Sequence, residues 1–358
     1  MKPGAVLKNW LGVVRHLIAR GLRKNASEVA NEVAKTAVTQ AANPGLDAPA
    51  LPGADRPLPR ATSAQFLTGT FSSDAGSLDY KLFFPAGYRG QSLPLVVMLH
   101  GCKQDPDDFA TGTRMNDLAE QHQCMVVYPA QSLSANSFRC WNWFNAVNQE
   151  RDHGEPAMIA GITRDIIDTF NIDRARVYVA GLSAGGAMAV IMGTTYPELY
   201  TAVGVHSGLA YKEASDLYSA IIVMRSGMKF VLQHGGHLPV MIDSERVVPT
   251  IVFHGDRDTT VHPSNGDHVR EHAIVGHEEE VLSAVLAPVV EQGAVVDGHT
   301  YTRTIYQDGA GAALAEQWLV HGAGHAWSGG SALGSYTDPL GPDASHEMLR
   351  FFLSQARA

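Results

Sequence analysis

The sequence predicts an α/β protein in which a mostly parallel central sheet is covered by helices on both faces. Two observations carry that expectation. Apolar runs such as Pro94–Leu99, Met125–Tyr128 and Val177–Val179 are continuous rather than alternating, as strands buried on both faces are. These runs are interleaved with helix-like segments through most of the chain, and that alternation builds a parallel sheet with helices packed on either side. At 358 residues the chain accommodates one large domain of this kind plus extra segments.

Taken in order, residues 1–40 stand apart. Seven Lys and Arg face only Glu28 and Glu32, and Val6, Leu7, Trp10, Leu11, Val14, Leu17 and Ile18 recur at helical spacing. This predicts a basic amphipathic helical segment. It would pack on the domain or pair with another copy, or else lie against a membrane or polymer surface. Lys8 and Arg15 interrupt the apolar run that a secretory signal would show. Residues 41–61 hold Pro44, Pro49, Pro52, Pro57 and Pro59, too stiff and donor-poor for regular structure, and read as a linker. The main α/β domain is then expected over 62–358.

Within it, strands are expected at 66–71 and 78–84, with the turn-like Ser72-Ser-Asp-Ala-Gly76 between them. The buried run 94–99 follows, then a helix over 107–121, strand 125–128, and a helix over 156–170 with Pro156 in its first turn. Further strands are expected at 202–206, 248–254, 301–306 and 316–320, and a last helix at 343–353. Segments 215–247 and 276–300 carry no clear period and are candidates for an active-site cap.

The stretch Arg176-Val-Tyr-Val-Ala-Gly-Leu-Ser-Ala-Gly-Gly-Ala-Met-Ala-Val190 explains most of the rest. A strand turns abruptly into a helix with Ser183 at the corner, and the side-chain-free neighbours Gly181 and Gly185 leave room for a strained, outward-facing hydroxyl. That is the nucleophile elbow of the α/β-hydrolase fold. The helix begins beside the serine, so the Ala184 N–H points toward any negative charge forming there.

A serine hydroxyl needs a general base held by a carboxylate, and in this fold the chain order is Ser, acid, His. Asp256 and Asp258 follow the strand at 248–254, and position alone does not choose between them. After the strand at 316–320, His325 is favoured because the preceding glycines allow a tight loop; His321 is the runner-up. Acyl transfer also requires oxyanion donors. The Ala184 N–H is one, and His100-Gly101-Cys102 is placed to offer the Cys102 N–H as the second. Trp141 and Trp143, together with Trp327 beside His325, are candidates for lining a substrate cleft. The residues alone leave open whether Cys102 and Cys140 bridge or stay reduced, while Cys124, at the start of a buried strand, is expected as a free core thiol.

These residues form a set. Pro94-Leu-Val-Val-Met-Leu-His-Gly-Cys102, Arg139-Cys-Trp-Asn-Trp-Phe144, Gly181-Leu-Ser-Ala-Gly-Gly186, Val205-His-Ser-Gly208 and Gly324-His-Ala-Trp-Ser-Gly-Gly330 resemble the esterase family of short-chain polyhydroxyalkanoate depolymerases and feruloyl esterases. The resemblance covers about residues 66–355. It implies Ser183, Asp258 and His325 as the triad, choosing Asp258 over Asp256, and agrees with a Cys102–Cys140 bridge. It also implies an extracellular or cell-envelope location, although a basic amphipathic start and an end at the last helix depart from the secreted depolymerases and leave a cytoplasmic location open.

The activity implied is hydrolysis of hydroxyalkanoate-type esters through an acyl-enzyme. An esterase acting on feruloyl or acetyl groups of plant polysaccharide is the alternative, and a non-catalytic protein of polymer or membrane surfaces the second. The expected partner is an ester substrate, oligomeric or polymeric hydroxyalkanoate or aryl ester, with surface contact through residues 1–40. A net charge of −9 argues against a nucleic-acid surface. No cofactor or metal is expected, since His234 and His237 lack a third ligand of matching spacing.

Overall fold

A computed structural model describes residues 63–228, 248–275 and 286–355. The expectations for the basic segment 1–40, the linker 41–61 and His234 with His237 lie outside the described residues. Ten strands form one sheet: β1 (Gln65–Ser73), β2 (Gly76–Phe84), β3 (Leu93–Leu99), β4 (Met125–Ala130), β5 (Ile172–Leu182), β6 (Ala202–His206), β7 (Thr250–Gly255), β8 (Val289–Ala294), β9 (Thr300–Gln307) and β10 (Ala313–Val320). Their order is β1-β2-β4-β3-β5-β6-β7-β10-β9-β8. The six strands from β4 to β10 in this order are parallel. Antiparallel pairs close both edges.

The continuous apolar runs mark the middle of the sheet. Every residue of β3, β6 and β7 is buried, because helices cover both faces there. Alternation survives inside the runs as a choice between two cores. Leu95, Val97, Leu99, Val177 and Val179 enter one core. Val96, Met98, Tyr178, Ala180 and Leu182 enter the other. A one-residue slip would exchange these sets.

The helices are α1 (Pro106–Thr113), α2 (Met115–His122), α3 (Gly154–Thr169), α4 (Ala184–Thr195), α5 (Leu217–Ser226), α6 (Ser264–Val275) and α7 (Ala344–Ser354). A small parallel pair, β11 (Trp327–Ser328) and β12 (Thr337–Asp338), lies outside the main sheet. The single helix expected over 107–121 is in fact two. Asp105 caps α1 by accepting from the Asp108 N–H, and Pro106 opens it. At Arg114 the backbone turns left-handed (φ 56°) and its N–H returns to the Ala110 carbonyl, so the chain bends before α2. Parts of the unplaced segments also have structure. A reciprocal cap between Asp216 and Ser219 starts α5, and β8 extends the sheet edge.

Candidate active site

The site lies past the C-terminal ends of neighbouring parallel strands, where an open α/β sheet places its ligands. Ser183 follows β5 directly. Its backbone is strained (φ 57°, ψ −117°), and its side chain is nearly buried, with 8 % of the residue exposed. The flanking glycines are steric requirements. A Cβ on Gly181 would strike the Gly185 carbonyl, and one on Gly185 would strike the Leu99 carbonyl. The Ser183 N–H donates to the His206 carbonyl at 2.9 Å, and the Ser183 carbonyl accepts from Ala187 as α4 begins.

The loop after β3 is held from several sides. The His100 ring is buried; its Nδ1 lies 2.8 Å from the Gly101 carbonyl and its Nε2 accepts the Gln131 N–H at 3.1 Å. Burial lowers the His100 pKa to about 4. The Gln104 side chain accepts the Gly101 N–H at 2.9 Å, and Cys102 is bonded to Cys140. Neither the Cys102 N–H nor the Ala184 N–H has an acceptor among the described residues. Two unpaired backbone donors flanking a strained serine suit a developing oxyanion.

The acid and the imidazole come from loops joined to each other. Past the last β7–β10 register pair, the Asp256 N–H reaches the Val320 carbonyl and the Arg257 N–H reaches Ala323, both at 3.0 Å. Gly255 permits this approach, because a Cβ there would strike the Ala323 carbonyl. The two aspartates left open by position, and the favoured and runner-up histidines, then sort into two pairs. Asp258 Oδ2 lies 2.6 Å from His325 Nδ1. Asp256 Oδ2 lies 3.0 Å from His321 Nδ1, and His321 Nε2 lies 2.9 Å from Thr302 Oγ1. The first pair is buried at the carboxylate, while the second is more than a third exposed. Asp258 Oδ1 accepts the Thr260 and Val261 N–H groups at 2.8 and 2.9 Å. Burial pushes the Asp258 carboxyl upward, but hydrogen bonds from His254 and His325 outweigh it and hold the group far below the ordinary carboxylate range.

Ser183 Oγ has no hydrogen-bond partner among the described residues, so the structure joins acid to imidazole and leaves the serine–imidazole bond unmade. Apo hydrolases commonly tighten that bond only with substrate. His206 ties the two halves together. Its carbonyl takes the Ser183 N–H, and its Nε2 accepts the Ser328 N–H at 3.0 Å, three residues past His325. The ring stacks between Phe253 and Trp327, and burial lowers its pKa to about 3, with the neighbouring His254 and His325 adding to the effect.

The three tryptophans proposed for a cleft are interior instead. Trp141 is fully buried and donates to the His100 carbonyl at 3.1 Å. Trp143 is buried against Phe144, and Trp327 is buried with its indole N–H on Ser345 Oγ at 3.0 Å. The indoles fill the volume beneath these loops, and those of Trp141 and Trp327 satisfy their donors there. His206 and His254 received no role from the sequence; the available signal was a histidine at the C-terminal end of a buried parallel strand. Among the described residues, no group of three His, Cys, Asp or Glu could hold a metal ion.

With this geometry in hand, comparison with known proteins is informative. The profile of the family described as "Esterase PHB depolymerase" matches residues 78–277, more than half of the chain. The chain belongs to the esterase PHB depolymerase family. Within and around it, the chain is 30 % identical to "Poly(3-hydroxyalkanoate) depolymerase C" of Paucimonas lemoignei, over 71 % of this chain and 60 % of that protein. It is 28 % identical to "Acetylxylan esterase A" of Talaromyces purpureogenus, over 57 % and 55 % of the two chains. The chain therefore spans somewhat over half the length of these relatives. The solved acetyl xylan esterase from Aspergillus awamori superposes with a TM-score of 0.59 over 82 % of this chain and 99 % of that one, at 19 % identity, and so shares the fold.

Proposed function

We propose that this member of the esterase PHB depolymerase family is a serine carboxylic-ester hydrolase working through Ser183, His325 and Asp258. Ser183 attacks the ester carbonyl while His325 takes its proton. Asp258 fixes the imidazole with the proton on Nδ1 and stabilises the imidazolium. The Cys102 and Ala184 N–H groups receive the oxyanion, His325 returns the proton to the leaving alcohol, and water repeats the sequence on the acyl-enzyme. The observation that carries this reading is the 2.6 Å contact between Asp258 and His325. It forms past the ends of β7 and β10, on the same sheet and at the same strand ends as β5, which delivers a serine held at φ 57°. Replacing Ser183 with Ala is expected to abolish p-nitrophenyl butyrate hydrolysis while leaving circular dichroism unchanged; turnover retained above a few per cent would refute it.

For the substrate, acetyl or feruloyl esters of plant polysaccharide are the favoured class, supported by the likeness to acetylxylan esterase A. A hydroxyalkanoate ester is the second reading, supported by the 30 % identity to a depolymerase. Release of acetate from acetylxylan, ferulate from feruloylated arabinoxylan, and 3-hydroxybutyrate from its oligomers separates them. The Cys102–Cys140 bridge fits an oxidising compartment, which supports an extracellular or cell-envelope location.

A further inference from the structure

A buried imidazole with no part in the reaction just described stands on the far side of its acid. His254, in β7, is fully buried. Its Nε2 lies 2.9 Å from the Val261 carbonyl and 3.5 Å from Asp258 Oδ2, the same oxygen that meets His325. A carbonyl can only accept, so the ring proton sits on Nε2. It is bonded to the Val261 carbonyl, with Asp258 Oδ2 3.5 Å from the same nitrogen. His254 Nδ1 is buried without a hydrogen-bond partner among the described residues. What fixes the ring is packing: α6 crosses so closely that a Cβ on Gly266 would come within 2.9 Å of Nδ1. The contact to Val261 also spans the whole acid loop, tying its first residue to its last.

We propose that His254 is a positioning residue: its Nε2–H, shared between the Val261 carbonyl and the Asp258 carboxylate, closes the acid loop and holds Oδ2 against His325. The proposal rests on the triad reading above. The titratable groups facing the Asp258 carboxyl are His254 from β7 and His325 from the loop after β10, with His206 of β6 beyond them. Removing the His254 donor leaves more negative charge on Oδ2 for the His325 N–H. The imidazolium is then stabilised, and the base stays protonated to higher pH.

The test compares His254→Phe and His254→Gln in the full chain, with kcat and KM for p-nitrophenyl acetate measured from pH 5 to 9. For the Phe variant, a hydrogen bond to a charged group predicts an acid limb raised by about 0.5–1 pH unit and kcat lowered about three- to tenfold. KM is expected to stay within about twofold, since the residue does not meet substrate. Glutamine restores a donor and is expected to bring the acid limb back toward wild type. An unshifted limb in the Phe variant, or a limb shifted equally by Gln, overturns the proposal. Should the Phe variant not fold, Gly266→Ala presses on the same ring and is expected to shift the limb in the same direction; no shift there is equally decisive against it. Fluorophosphonate labelling separates this from the parent reading. Failure of wild type to label at Ser183 defeats the triad, whereas labelling with no shift defeats His254 alone.

Discussion

Replacing Asp258 with Asn is the most informative perturbation, because the structure dictates which way the new amide must face. In the native site Oδ1 accepts two backbone N–H groups, from Thr260 and Val261, while Oδ2 receives His325 and faces His254. An asparagine that keeps the backbone bonds places its oxygen at Oδ1 and its NH2 toward His325. The amide then donates to Nδ1, the imidazole proton moves to Nε2, and that nitrogen can no longer accept the serine proton. The flipped amide would preserve the working tautomer but sets its NH2 against two backbone donors. Each buried donor left unpaired costs about 1–3 kcal/mol, so the flip costs about 2–6 kcal/mol and the working arrangement falls to between about 3 % and about 0.004 % of molecules. The expected loss in kcat is therefore about 30-fold to about 3 × 10⁴-fold, a range that includes the roughly 10⁴-fold loss typical when a triad acid is amidated. The assay is p-nitrophenyl acetate hydrolysis at pH 8, with circular dichroism to verify the fold. A variant within threefold of wild type would refute the tautomer argument.

Other tests bear on the second acid–imidazole pair and on buried charge. His321→Ala breaks the exposed contact to Asp256 and is expected to keep kcat within about fivefold of wild type, whereas His325→Ala is expected to lose at least about 10³-fold; equal losses would show that the pairs had been assigned wrongly. His100, His206 and His272 have pKa values lowered to about 4, 3 and 4 by burial. Their folded values lie below the unfolded one, so their contribution to stability is complete above about pH 6.5 and is lost as pH falls toward 4. Urea unfolding is expected to show stability falling in that window by up to about 4 kcal/mol per pH unit, about 1.4 for each imidazole. A flat profile between pH 5 and 7 would contradict their burial in the neutral form. Asp258 acts in the same direction but in a lower window: its depressed carboxyl contributes fully above about pH 4 and that contribution is lost only below it.

What could be read from the sequence was local. The elbow is a matter of neighbouring residues, because strand propensity, two missing side chains and a helix start within fifteen positions leave few conformations open. The buried strands announced themselves because a strand covered on both faces is apolar along nearly its whole length, whatever covers it, with only an occasional hydrogen-bonded exception such as His206 or His254. Other features depend on distant partners. Helix α6, Ser264–Val275, is mostly polar, so its helical period was hidden until its packing against β7 and β10 was known. The break at Arg114 is a left-handed turn closed on the Ala110 carbonyl, and two residues earlier Gly112 has no room for a side chain because Thr337 of β12 packs against it. Trp141 and Trp327 looked like cleft residues because aromatic composition says nothing about direction; tertiary packing turned both inward.

The division is sharpest at the acid and the base. Position along the chain does not choose between Asp256 and Asp258; the glycines before His325 favour it over His321, and only the family resemblance singles out Asp258. The pairing of β7 with β10 brings together loops about 65 residues apart, and the stagger at their ends sends one Asp–His pair toward buried space and the other toward solvent. A sequence can specify the serine's corner because its physics is short-range. Which carboxylate meets which imidazole is a long-range outcome, decided by strand register and by what the surrounding core leaves dry.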